Sequence, residues 1–223
     1  MSSFLKNIRK KALENTLRPY LKWYLSKKRT YKYRNLSLII FPGVFHPGFF
    51  LSTQLLLQFL ETIHVSGKKV LELGAGSGLI SLHLAQREAT VFASDISPSA
   101  IKNIRENALN NKLQVNVIQS DIFDNMTLQK FDLIIVNPPY YPYDPASESE
   151  YAWYCGRNFQ YFKRLFSQIS NHINPDSEIY MILSEDCDLD SITKIALSEQ
   201  LTMTMVLSKR KWWEWNYIYK IVH

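Results

Sequence analysis

Short apolar runs alternate with amphipathic stretches along most of this chain, and each run has the length of a buried strand. From Lys68 onward the pattern predicts a strand over 69–73, a helix over 79–86, a strand over 90–94, a helix over 98–110, and strands over 114–119 and 131–137. Pro98 suits a helix start, where its fixed φ and missing N–H cost nothing. Strands separated by crossover helices predict a parallel sheet with helices on both faces. The chain ends in two further strand-like runs, 201–207 and 215–222, joined by a seven-residue connection and read as an antiparallel hairpin. Before all this, Leu5, Ile8, Ala12, Leu13, Leu17, Leu21, Tyr24 and Leu25 recur at helical spacing, interrupted at Pro19. A short strand over 36–41, a loop holding Pro42, Gly43, Pro47 and Gly48, and a helix over 52–62 follow.

A chain of 223 residues that is 46% hydrophobic has material for one sizeable core and is too short for two ordinary domains. The natural division is a basic helical arm over 1–35 and one catalytic-sized domain over 36–223. Residues 1–35 hold eleven of the 26 Lys and Arg but one of the 20 Asp and Glu, so the arm nets +10 and the remainder −4. Such an arm is able to touch phosphate backbones or an anionic surface, or merely to solvate a packed helix. Two cysteines, Cys155 and Cys187, form no CxxC pair, and five scattered histidines give no metal-ligand spacing. No apolar run approaches bilayer-spanning length, and the first residues carry no apolar signal core, so a reduced, cytoplasmic protein without membrane insertion is expected.

Two stretches carry chemistry. In the first, strand residues 70–73 run into Glu72-Leu73-Gly74-Ala75-Gly76-Ser77-Gly78. Closely spaced glycines permit a tight turn and a close approach of backbone to ligand, and the helix behind them aims unpaired N–H groups at the same space. The next strand ends at Asp95-Ile96, where dinucleotide folds place an acid to hold a ribose. The spacing Glu-x-Gly-x-Gly-x-Gly followed by this acid resembles motif I of class I S-adenosylmethionine (SAM) methyltransferases. That resemblance implies a Rossmann-like fold, a seven-stranded sheet closed by the terminal hairpin, and SAM as cofactor. The glycine turn would face its methionine moiety and Asp95 its ribose. Asp121, after the third strand, would accept a bond from the adenine amino group with Ile122 packed nearby, or would simply cap a helix. Thr53, just ahead of the turn, would bond the methionine end, with a helix N-cap at Ser52 or Thr53 as the plain alternative.

In the second stretch, the buried run 132–136 leads directly into Asn137-Pro138-Pro139-Tyr140. Two prolines cannot continue a ladder, so the chain turns at the strand's carboxyl end, beside the expected cofactor. An asparagine carbonyl and a proline-held backbone carbonyl are suited to accept both hydrogens of a planar NH₂ group, and Tyr140 offers a stacking face. This resembles the methyltransferases that act on amide or exocyclic amino nitrogen. The following Ala152-Trp153-Tyr154-Cys155-Gly156-Arg157-Asn158, with a helix over 159–172 and a strand over 178–183, is similar to HemK-type release-factor glutamine methyltransferases. Cys155 stands where those enzymes carry a first glycine, and their long helical substrate domain is absent. The expectation is protein glutamine N5-methylation, with a peptide-chain release factor as possible substrate. N6-adenine methylation of RNA or DNA is the rival, favoured by the arm and by Lys209-Arg210-Lys211-Trp212-Trp213. A partner subunit that binds SAM or RNA without turnover is the third reading, opposed by the joint presence of Glu72, Asp95 and Asn137.

Overall fold

The computed structural model describes residues 26–49, 51–211 and 214–222. The expected helix over the first 25 residues, and Trp212 and Trp213 of the basic aromatic loop, lie outside them. Nine strands are described: β1 (Arg29–Tyr33), β2 (Leu36–Ile40), β3 (Lys69–Leu73), β4 (Thr90–Asp95), β5 (Asn116–Gln119), β6 (Phe131–Val136), β7 (Ile173–Ser184), β8 (Thr202–Lys211) and β9 (Glu214–Val222). The α-helices are α1 (Leu51–Leu60), α2 (Leu79–Gln86), α3 (Pro98–Asn110), α4 (Gln160–Ile169) and α5 (Leu189–Ser198).

Seven strands form one sheet in the order β5-β4-β3-β6-β7-β9-β8. β3 pairs in parallel with both β4 and β6, and β4 with β5 and β6 with β7 likewise. β9 runs antiparallel between β7 and β8, so the terminal hairpin is present. The central strands are apolar on both faces because both are covered. On one side Val70, Leu133, Ile135 and Ile182 meet Leu56 and Leu60 of α1 and Leu82 of α2. On the other, Leu71, Ile134, Val136 and Met181 meet Phe162, Leu165, Phe166 and Ile169 of α4 and Ile192 of α5. The strand order reverses around β3, which opens a crevice at the carboxyl ends of β3, β4 and β6.

Ahead of this sheet the arm departs from expectation. Arg29–Tyr33 is a strand, not the tail of a helix, and it pairs antiparallel with β2 across a two-residue turn in which Arg34 has φ 50°. Alternation of half-buried Tyr31 and Tyr33 with exposed neighbours is the strand's period of two. The folded domain therefore begins well before residue 36.

The far edge of β2 is paired with side chains rather than with a strand. Asn103 and Asn107 of α3 and its C-cap residue Asn111, spaced four apart on one face, accept from Phe41 N (3.0 Å), Ile39 N (2.8 Å) and Ser37 N (3.0 Å). Their amide groups donate back to Ile39 O at 2.6 and 2.9 Å and to Ser37 O at 2.8 Å. A carboxamide offers the donor and acceptor pair that a backbone peptide would, so the ladder closes an edge that would otherwise be open.

Candidate active site

The crevice holds a cavity of about 330 Å³. The glycine turn from Glu72 to Ser77 forms one wall, with Asp95, Ile96, Asp121 and Ile122 along the ends of β4 and β5, and Asn137, Pro138, Pro139 and Tyr140 opposite at the end of β6. Thr53 lines it as well. Helix α1 is described from Leu51, which puts Ser52 and Thr53 in its first turn.

Hydrogen bonds tie the turn to its neighbours. Asp95 Oδ2 accepts from Gly76 N at 2.8 Å and Oδ1 from Ser97 N at 2.9 Å. Burial pushes the Asp95 carboxyl up from its ordinary value, while these two amides pull it down. A carboxylate has about four acceptor directions, so both oxygens keep capacity for a further donor. Glu72 is buried at 4% exposure and its Oε2 accepts from the backbone N–H of Ser81 at 2.8 Å and from the Ser81 hydroxyl. Desolvation dominates and lifts its pKa to about 8. Glu72 thereby fastens the first turn of α2 to the end of β3.

Two expected ligand residues carry structural duties. Gly78 does not line the cavity; it precedes α2 with φ 81°, and a Cβ there would stand 3.1 Å from the Ile104 side chain. Its lack of a side chain lets α2 and α3 approach, and its N–H closes the turn on Ala75 O at 2.8 Å. Asp121 caps no helix: residues 121–125 form turns in which Ile122 takes φ 54°. Its carboxylate is held by a residue that spacing did not reveal, Arg164 of α4, at 2.5 Å. The only sequence trace of that contact is the polar stripe Gln160, Arg164, Gln168 opposite the apolar face of α4.

Asn137 is half-buried, and its carboxamide enters no hydrogen bond among the described residues. Tyr140 packs beside the core under the sheet, its ring 4.8 Å from that of Tyr141. Burial raises its hydroxyl well above the usual tyrosine range, with a hydrogen bond to Ser184 acting the other way. After Tyr140 the chain forms a strap that doubles back: Tyr141 N donates to Trp153 O at 3.0 Å, Cys155 N to Tyr141 O at 2.9 Å, and Gly156 N to Tyr143 O at 3.0 Å. Gly156 has φ 86°, a left-handed backbone, and a Cβ on it would meet the Gln160 side-chain amide, so another residue would be strained and would have to turn that amide aside. Across the mouth, Phe45 from the loop before α1 meets Trp153 of the strap, ring centres 5.6 Å apart. The segments 44–47 and 152–158 thus close the cavity together. Cys155 is buried, its thiol pushed up to about 11 by desolvation, and it behaves as a packing residue.

Residues 35–214 match the model of the methyltransferase small domain. The chain belongs to this family. Among relatives, a putative protein N5-glutamine methyltransferase of Methanocaldococcus jannaschii is 38% identical over 116 residues, 52% of this chain and 55% of its own length. Human methyltransferase HEMK2 is 30% identical over 184 residues, 76% of this chain and 85% of its own. The chain thus spans about half of the first relative and most of the second. Among solved structures, the Thermus thermophilus 16S rRNA N2 G1207 methyltransferase RsmC, in complex with AdoMet and guanosine, aligns at TM-score 0.67 and 20% identity over 89% of this chain and 51% of that one. At that identity the likeness concerns the fold. Among the described residues no cluster of His, Cys, Asp or Glu is arranged to hold a metal, and no helix is long and apolar enough to cross a membrane.

Proposed function

We propose that this methyltransferase-family domain transfers a methyl group from SAM to a planar NH₂ nitrogen, and that the acceptor is a protein glutamine side chain, with a peptide-chain release factor as the substrate class. One observation carries the reading. The Asn137–Tyr140 turn opens into the same cavity as the glycine turn and Asp95, so an acceptor held by one meets a cofactor held by the other.

The residues suit SAM. Asp95 keeps acceptor capacity for ribose hydroxyls, Asp121 and Ile122 lie on the side that would take the adenine, and Thr53, Gly74, Ala75 and Gly76 on the side of the methionine. When bound, SAM supplies a methyl group on a sulfonium, an electrophile needing no activation by the protein. The acceptor needs alignment instead. The Asn137 side-chain carbonyl would take one amide hydrogen and the backbone carbonyl of Pro138 the other, which fixes the plane of the acceptor nitrogen; Tyr140 would support that plane from one side. Tyr140, Tyr141 and Cys155 all have pKa values raised by burial, so they remain neutral and no strong base stands over the acceptor. The proton left on the methylated nitrogen is acidic enough to pass to water.

Burial, with negative charge at Asp186 and Glu214 adding to it, raises the Tyr141 hydroxyl to about 12. Asp144 and Glu148 line the same cavity as Asn137–Tyr140, and carboxylates there favour an uncharged or basic peptide over a phosphodiester. The exposed Lys209 and Arg210 on β8, with Arg210 6.0 Å from the Trp215 ring, are the observation in favour of the nucleic-acid reading. The deciding experiment presents labelled SAM with a release-factor protein and, separately, with RNA and DNA, and maps the product by mass spectrometry. N5-methylglutamine is expected; N6-methyladenine would replace the substrate, and methylation on carboxylate, sulfur or carbon would overturn the planar-NH₂ reading.

A further inference from the structure

Arg164 is the one cavity-lining cation of α4, and its contacts all point at one turn. Its Nη1 donates to Asp121 Oδ2 at 2.5 Å, while Nη2 donates to Asp124 Oδ2 at 2.7 Å and reaches Asp121 O at 3.5 Å. One helical turn on, Gln168 donates to Asp124 Oδ1 at 3.3 Å. Between the two aspartates sits Ile122, a β-branched residue at φ 54°, buried at 6% exposure with its side of the turn against the cavity. A β-branched residue in the left-handed region is strained, and it persists only where the surroundings hold it. The guanidinium fork grips the turn on both sides of that residue. A planar fork also fixes the plane of the carboxylate it binds, which a lysine does not.

We infer that Arg164 is a positioning residue that makes the Asp121 side of the cavity selective for an exocyclic amino group. It occupies Oδ2 of Asp121 and leaves Oδ1 as a pure acceptor in a fixed orientation. A ligand with an N–H₂ at that place gains a hydrogen bond; one with a carbonyl oxygen there meets a carboxylate oxygen and is refused. The inference rests on the SAM reading above. Arg164 and Asp121 are each about 40% exposed at the side chain, at 39% and 41%, so solvent screens the pair and its main effect is on orientation rather than on stability.

The test compares S-adenosylhomocysteine with S-inosylhomocysteine, identical but for the 6-amino group, by calorimetric titration of the full chain. The wild type should prefer the amino ligand by about tenfold or more. Arg164→Met should reduce that preference to about threefold or less at nearly unchanged melting temperature, and Arg164→Lys, which keeps charge without the fork, should fall between. Equal weakening of both ligands, or a preference left intact in Arg164→Met, would overturn the inference and leave the cofactor reading standing. Binding of neither ligand by the wild type would overturn the cofactor reading itself, and this inference with it.

Discussion

At the scale of single residues, neighbours decide which carboxylates and amides of the cavity work on ligand and which hold the protein together. Among the described residues the Asn137 carboxamide has no hydrogen-bond partner, whereas Glu72 is committed to Ser81. Replacing Asn137 with Ala should therefore lower turnover on the order of a hundredfold or more, through lost alignment of the acceptor, with little change in SAM affinity. Single-turnover methyl transfer and a binding titration separate the two effects. Glu72 gives a pH signature instead. Its folded pKa of about 8 lies above the ordinary 4.5, so the native state keeps a proton that the unfolded chain has already released. The resulting stabilisation is complete below about pH 4.5 and falls away as pH rises toward 8, at up to about 1.4 kcal/mol per pH unit. Urea unfolding at pH 5.5 and 8 should show that slope, and Glu72→Gln, unable to ionise, should flatten it.

Elements are joined here by side chains that stand in for backbone. Asn107 binds Ile39 N and O on β2 and also Ser77 O of the glycine turn, at 2.8, 2.9 and 2.9 Å, with no solvent exposure. The β1–β2 hairpin, which leads into the Phe45 loop, is thereby keyed to the same helix that backs the turn. Asn107→Leu strands the Ile39 N–H and the Ser77 carbonyl in the interior, and should destabilise the fold by about 2–3 kcal/mol in chemical denaturation. Hydrogen exchange at residues 36–40 should rise in the same variant. Gly78→Ala tests the junction of α2 with α3. Forcing a Cβ into the left-handed region and within 3.1 Å of Ile104 should cost about 1–2 kcal/mol or more of stability.

For the whole molecule, charge is the feature that the cavity does not use. The +10 of residues 1–35 sits on a chain whose remainder nets −4, and Lys28 and Arg34 of that stretch already face Glu106 and Glu61 at 3.9 and 2.7 Å. If the charge of this arm meets nucleic acid, deleting residues 1–25 should flatten the dependence of RNA affinity on salt, because each phosphate contact releases counterions. Filter binding across a salt series reads the slope directly. Equal slopes would assign the arm to packing or to a protein partner, in keeping with Asp144 and Glu148 in the cavity lining.

The repeating strand and helix periods, the glycine turn between β3 and α2, and the proline-stopped end of β6 are local facts, and they determined the doubly covered sheet and the facing of the two motifs. They were legible because period, glycine freedom and proline's missing donor act within a few residues. The terminal hairpin was legible for the same reason, though β8 and β9 extend further along the connection than their apolar cores indicate. Only the tertiary structure decided the partnerships: Arg164 with Asp121 across 43 residues, the asparagine ladder with β2 across 62 to 74, Phe45 with Trp153, and Gly78 with Ile104 in place of a ligand. It also made Arg29–Tyr33 a strand, where pairing with β2 decides what the helical spacing read upstream in the sequence did not. Such contacts depend on which face of a helix meets which loop. That is settled by packing of the whole core, and spacing along the chain does not encode it.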